Sequence, residues 1–399
     1  MAAGSKIRVR MYRVGFGDCF LVTIPDGETQ KHILIDCGVH AQSEFKGIAA
    51  AVQAIKTETQ GELAVVVATH AHADHISGFG TEADAFRQFT VGEVWMPWLE
   101  DLSNPAAKKL HAKTAALAGL LHAHLNVAGA EADPLITGIA LNALGANGRS
   151  PVGNNAKALA LLRGGFGDKK RTKYLKAGRV LQNAGGIKGL TVRVLAPSDD
   201  PTFLSRMNPP EAQLYGLDKN GDPTLDTLVP FAERWTGKTG ALDPVYEKFL
   251  HEQVATPMRA LALSVDNYLN NTSLCLLLQY KGRTLLFPGD AQWGNWQSWQ
   301  GEWEAILNDI DFYKVGHHGS HNATPHEALR KMTGRSVAAM ASTDTVTAFN
   351  RGKFPVPYSK LVSAVKKQVG DRYAQSDQIA EAAAPFELDP GGGWVDYLV

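Results

Sequence analysis

The chain has 399 residues, 44% apolar and 20% charged, a globular composition with enough apolar mass for a sizeable core. Forty basic residues balance forty acidic ones, which excludes a global field able to recruit nucleic acid or an anionic membrane. The N-terminal MAAGSKIRVRMYRVGFGD lacks a signal-peptide core, and no stretch approaches the roughly 18 apolar residues of a membrane helix, so a cytoplasmic protein is expected.

The first forty residues read as β-structure: IRVRMYRV, then CFLVTI after the GFGD punctuation, then HILIDCG after a PDGETQ turn. SEFKGIAAAVQAIKTETQ has helical spacing with Ser43 as candidate cap, and ELAVVVAT reads as a buried strand running straight into His70. Strand, helix, strand predicts a layered α/β arrangement. Farther on, EVWMPW is a candidate strand, PAAKKLHAKTAALAGLLHAHLN and NAKALALLRGG candidate helices, and LTVRVLAP another strand. Residues 198–240, rich in Pro, Gly, Asp and Asn, read as loop with short helices. The final third returns to clean signals. SLCLLLQY and TLLFPGD form a hairpin ending at Asp290, WQSWQGEWEAILNDI a helix, and DFYKVG a strand before the loop HHGSHNATP. TPHEALRKM, SVAAMAST and YSKLVSAVKKQV follow as helix, strand and helix, and GGGWVDYLV offers one edge strand.

Three cysteines, Cys19, Cys37 and Cys275, form neither a disulfide framework nor a zinc knuckle; their apolar surroundings predict buried free thiols. The chemistry concentrates in His70-Ala71-His72-Ala73-Asp74-His75. Three imidazoles and a carboxylate in six residues supply nitrogen and oxygen donors suited to zinc or a similar divalent ion. Alternation along a loop lets His70 and His72 grip one ion while Asp74 and His75 turn toward a second.

THAHADHISGF resembles the signature of the metallo-β-lactamase superfamily, and further landmarks occur in order: LIDCG with Asp36, LLFPGDA with Asp290, and KVGHHGSHN. Together with GFGD and NTSL they are similar to the soluble hydrolase domain of ComEC-type competence proteins and their free-standing relatives, over residues 7–80 and 260–340. The resemblance implies one domain over 1–399, an αββα sandwich with a largely helical and loop insertion at about 98–260. It also implies two divalent metal ions, zinc expected and manganese the alternative. The implied metal ligands are His70, His72, Asp74, His75, Asp290 and one or both of His317 and His318. Adjacent side chains diverge from an extended backbone, so joint use of that pair needs a sharp bend, for which Gly316 and Gly319 are placed. Asp290 would bridge the cations. Asp36 would accept the second N–H of a ligand histidine, and Asp74 would manage the proton.

The sequence departs from the family where VDNYLNNTSL enters the hairpin, since many members carry one more ligand histidine there. Asp266, Asn267 or Asn271 is a substitute, unless both His317 and His318 bind. His111, His122, His124 and His251 are read as surface or packing histidines. Asp18, Lys314 and Ser320 are weaker candidates for contacts to substrate or to the ligands, with Lys314 placed among the catalytic residues. GDKKRTKYLKAGR carries Lys169, Lys170, Arg171, Lys173, Lys176 and Arg179, either a solvated loop or a phosphate contact. Trp293 and Trp296 after Asp290 would line a pocket or pack a helix.

The expected activity is hydrolysis by hydroxide held between two cations, on a phosphodiester substrate: nucleic acid, nucleotide or small molecule. Carboxylic ester, lactone or thioester cleavage uses the same centre, and a metal-containing sensor is the non-catalytic alternative. Di-iron relatives typically have glutamate where this chain has His72.

Overall fold

The computed structural model describes residues 6–112, 137, 154–167, 171–206, 208–215, 268–333, 335–348 and 356–399. Two twisted mixed sheets pack face to face. The first contains β1 (Arg8–Tyr12), β2 (Cys19–Asp26), β3 (Thr29–Cys37), β4 (Glu62–Val67), β5 (Thr90–Pro97), β6 (Thr172–Leu175), β14 (Phe386–Leu388) and β15 (Trp394–Leu398). The second contains β7 (Val180–Gln182), β8 (Thr191–Ala196), β9 (Cys275–Tyr280), β10 (Arg283–Phe287), β11 (Phe312–Lys314), β12 (Ala338–Ala341) and β13 (Tyr373–Gln375). Their orders are β14-β15-β1-β2-β3-β4-β5-β6 and β13-β12-β11-β10-β9-β8-β7. In each, one half is antiparallel and the other parallel, with β3 to β6 parallel in the first and β10 to β13 parallel in the second.

The period-two alternation of strands explains the layers. Val65 and Val67 of β4 point between the sheets, where they meet Trp95, Val194, Leu276, Leu278 and Phe287. Val66, Leu34 and Leu21 face outward onto Ile48, Val52 and Ile55 of helix α1 (Ile48–Thr59) and Ile76 and Phe79 of helix α2 (Ala73–Thr81). On the other side Leu277, Leu286 and Tyr313 pack against Trp296, Trp303, Leu361 and Val365. Each such side chain taken fully from water contributes about 1.5–3 kcal/mol. The result is the expected helix–sheet–sheet–helix sandwich.

Several local expectations change. Ser43 does not cap α1, whose N-cap is Gly47 without a side-chain bond. Instead Ser43 Oγ accepts from the Phe16 amide at 3.0 Å and donates to the Phe45 carbonyl at 2.8 Å, bracing the preceding loop. The helix expected over 296–310 instead begins at Trp293, ends at Leu307, and is split into Trp293–Ser298 and Trp303–Leu307 by a single turn at Gln300–Glu302. β15 is not an edge: β14 covers it, and Asp396 within it binds buried Arg10 through two 2.7 Å hydrogen bonds. The insertion drawn at about 98–260 includes β6, β7 and β8, which complete both sheets, so residues 172–196 belong to the sandwich rather than to an appendage.

Of the long alanine-rich helix expected after residue 104, residues 105–112 are helical and the remainder lies outside the described residues. His122, His124, His251, Asp266, Asn267, Lys169 and Lys170 lie outside them too. All three cysteines are buried and unpaired. Among the described residues no helix is long and apolar enough to cross a membrane.

Candidate metal centre

The site residues hang from the carboxyl ends of adjacent parallel strands, where ligands gather in α/β sheets. β3 delivers Asp36, β4 leads into Thr69, His70 and His72, β10 into Asp290, and β11 into Lys314, His317 and His318. His72 is the N-cap of α2, so Asp74 and His75 fall in its first turn, where the helix dipole favours a carboxylate. Asp36 owes its direction to a β-bulge. The β2–β3 register pairs Cys19 with Cys37 and Phe20 with Ile35, leaving Asp36 opposite no residue and with φ +57°.

His70, His72, Asp74, His75, Asp290 and His318 are each at most 2% exposed, and their donor atoms converge. Nε2 of His70 lies 3.0 Å from Nδ1 of His72. Nε2 of His318 lies 3.2 Å from Asp74 Oδ2 and 3.3 Å from Asp290 Oδ2, and that oxygen is 3.1 Å from His75 Nε2. Tetrahedral ligands on bonds of about 2.0–2.1 Å stand about 3.3 Å apart, so these separations suit shared cations. Three sets of three donors emerge among the described residues: His70 with His75 and Asp290, Asp74 with His75 and His318, and, on the Nδ1 side of His75, Asp18 with Asp36 and His75.

The electrostatics fit the same group. Burial, then its neighbours His75 and His72, holds His70 well below the usual imidazole range, and burial holds His72 down to about 4. Both are therefore neutral donors at pH 7, as ligation requires. Burial alone would lower His75 and His318. The carboxylates, Asp290 foremost, outweigh it, raising His75 and pushing His318 up to about 10. Asp18, Asp36, Asp74 and Asp290 thus crowd buried imidazoles and Lys314, an anionic excess that divalent cations suit.

His317 and His318 part company. Successive positive φ values at His317 (+44°), His318 (+52°) and Gly319 (+82°) make the sharp bend, with the histidines themselves in left-handed geometry and Gly316 at −64°. His318 shares its Nδ1 with the Ser342 carbonyl at 2.9 Å and turns Nε2 inward. His317, held down to about 4 by burial, sits at the rim beside Asn270, Nδ2 to Nε2 3.3 Å, and outside each set of three donors found among the described residues. Asn271 does not replace the missing histidine: its Nδ2 donates to the carbonyls of Leu204 and Arg206, and its Oδ1 accepts from the Gln292 amide.

Asp36 holds the site from behind. It accepts from the amide and hydroxyl of Thr69, both at 2.7 Å, and faces His75 Nδ1 at 2.8 Å, the position of a ligand-orienting carboxylate. Lys314 differs from its expected catalytic place. At 2% exposure its ammonium directs its three donors at Asp18 Oδ2 (2.5 Å), the Gly289 carbonyl (3.1 Å) and Asp290 Oδ1 (3.3 Å). An ammonium has no fourth donor for a substrate, so Lys314 positions Asp290. Ser320 bonds Asn322 Oδ1 at 3.0 Å within its own turn. Trp296 is fully buried with its indole on the Ala323 carbonyl, and Trp293 packs edge-on to Trp303, which makes this tryptophan cluster packing. His111 bonds the Leu99 carbonyl. Sequence reasoning missed Thr69, Asn270 and Ser342; only Thr69, adjoining the histidine motif, carried a signal.

The Metallo-beta-lactamase superfamily model matches residues 12–140. Curated protein sequences return no match. Among solved structures, the metallo-beta-lactamase fold protein YhfI from Bacillus subtilis is similar at 9% identity and a TM-score of 0.33, over 92% of this chain and 95% of that one. Residues 12–140, about a third of the chain, are thus similar to the metallo-β-lactamase superfamily, and the described residues form two mixed sheets with helices on their outer faces.

Proposed function

We propose that this protein is a metal-dependent hydrolase acting on a small phosphodiester. The observation that carries the reading is the convergence of buried His70, His72, Asp74, His75, Asp290 and His318 at separations of 3.0–3.3 Å around one centre. Two divalent ions, zinc or manganese, would supply Lewis acidity and an acidified water there.

The chain's own groups supply the rest. His70 and His72 would hold one ion, Asp74, His75 and His318 the other, with Asp290 shared. Asp36 fixes the ring of His75, and Lys314 fixes Asp290. Asp74, kept ionised by His75 and His318 despite its burial, is in the state in which a carboxylate would ligate an ion. Four buried carboxylates, Asp18, Asp36, Asp74 and Asp290, against two divalent ions and the Lys314 ammonium would leave the centre about one charge positive, which suits an anionic diester. A long polyanion is less well served: Lys173 pairs with Glu93, Lys176 with Asp199, and Arg171 donates to the Val91 carbonyl.

The test is turnover of bis-p-nitrophenyl phosphate against a lactone and thioester panel, with zinc or manganese added. The reading expects diester cleavage abolished by Asp290→Ala. Strong lactone turnover without phosphodiesterase activity would assign the same centre to carboxylic esters instead.

A further inference from the structure

We infer that Asp18 is a positioning residue for the second cation of the pair, acting on Asp290 through Lys314 and on His318 and His75 by its buried charge; this rests on the metal-centre reading above. Asp18 is 1% exposed and lies in the GFGD turn between β1 and β2. Its Oδ1 is 3.4 Å from His318 Nδ1, and its Oδ2 is 3.6 Å from His75 Nδ1 and 2.5 Å from Lys314 Nζ. The N–H of each of those nitrogens goes elsewhere, to the Ser342 carbonyl and to Asp36, so the Asp18 carboxylate faces both imidazoles of the set formed with Asp74 as a buried negative charge, not as a hydrogen-bond acceptor. The same carboxylate anchors the ammonium that holds Asp290 Oδ1, leaving Oδ2 toward His75 and His318.

The backbone shows why this turn has its sequence. The Asp18 amide donates to the Asp74 carbonyl at 2.9 Å, and the Asp18 carbonyl accepts from the Gly38 amide at 3.0 Å. A Cβ on Gly17 would fall 2.3 Å from the Gly38 carbonyl oxygen and 2.7 Å from that of Asp74, so a side chain there would push the turn off the site. Ser342 Oγ donates to the Gly17 carbonyl, tying the turn to the strand end whose carbonyl holds His318. By contrast, no contact of Asp18 with His70 or His72 is among its close ion pairs.

The assignment separates positioning from charge balance. Removing Asp18 alone strands a buried ammonium, so the informative variant is the charge-matched Asp18→Asn/Lys314→Met, compared with Lys314→Met alone and with wild type. Zinc binding to the metal-stripped proteins is read by competition with a chromophoric chelator, and folding by thermal melts. Wild type is expected to bind two zinc ions. The double variant should bind the first as tightly as Lys314→Met alone does and weaken the second about 10–100-fold, while Lys314→Met alone loses less of the second. Two ions held by the double variant at wild-type affinity would overturn the inference and leave the metal centre standing. So would a Lys314→Met variant as weak as the double, which would make the lysine the determinant. A wild type that takes up no zinc would overturn the metal-centre reading together with this one.

Discussion

Asp36 Oδ2 lies 2.8 Å from Nδ1 of His75, thirty-nine residues further along the chain, and the contact exists because a bulge turns Asp36 off the strand face. An imidazole gripped this way presents Nε2 in one direction and in one tautomer. Asp36→Asn should weaken zinc binding about 10–100-fold without unfolding the protein, measured by chelator competition beside a thermal melt. Unchanged affinity in a folded variant would show that the bulge serves the strand alone.

The charged state of the inner imidazoles sets a pH dependence with opposite signs for stability and for metal affinity. In the metal-free protein His318 is raised from 6.5 to about 10, so the stabilisation it gives is complete below the lower value and lost as pH rises through the upper one. The melting temperature of metal-free protein should therefore fall from about pH 7 to about pH 10. Zinc affinity should rise over the same window, because ligation displaces the imidazole proton. Calorimetric titrations in buffers of different ionisation enthalpy should register that proton release. A flat melting temperature with no proton released would contradict the arrangement.

Gly289 gives a backbone prediction. Its φ is +59°, and a Cβ there would stand 3.1 Å from the Cβ atoms of Ser273 and Thr69. Gly289→Ala should cost about 1–3 kcal/mol in urea unfolding with little change in slope. Zinc affinity should fall with it, since the Gly289 carbonyl holds Lys314. Wild-type stability in this variant would mean the turn relaxes freely.

Trp296 separates packing from pocket lining. Fully buried among Trp299 and Trp303, it should cost about 3–5 kcal/mol on truncation to alanine while zinc stoichiometry stays at the wild-type value. A raised KM with unchanged stability would place the ring at the substrate instead.

What the sequence made legible follows the range of the interactions. The stretch from His70 to His75 could be read because its donors are contiguous, and β4 and β10 because each is an apolar run ending in chemistry. The Asp18–Lys314 pair could not, since its partners are brought together only by the packing of the two sheets. Nor could the left-handed conformations of His317 and His318: histidine is enriched there relative to most non-glycine residues, but positive φ remains uncommon, and two such residues in succession are set by the packing of the loop. β13 and β14 are three residues each, too short to show a period, so β15 read as an edge although it is covered. β8 was legible in LTVRVLAP, whereas β6 and β7, four and three residues long, were hidden in and just after the basic stretch GDKKRTKYLKAGR.

The central claim is that these loops close around a pair of divalent cations. Crystals of zinc-loaded protein measured at the zinc absorption edge test it most directly. Two anomalous peaks about 3.5–4 Å apart should appear, one beside His70 and His72 and one beside Asp74, His75 and His318, with Asp290 reaching both. A fully loaded crystal with no peak between these side chains, or with zinc only at the surface, would contradict it.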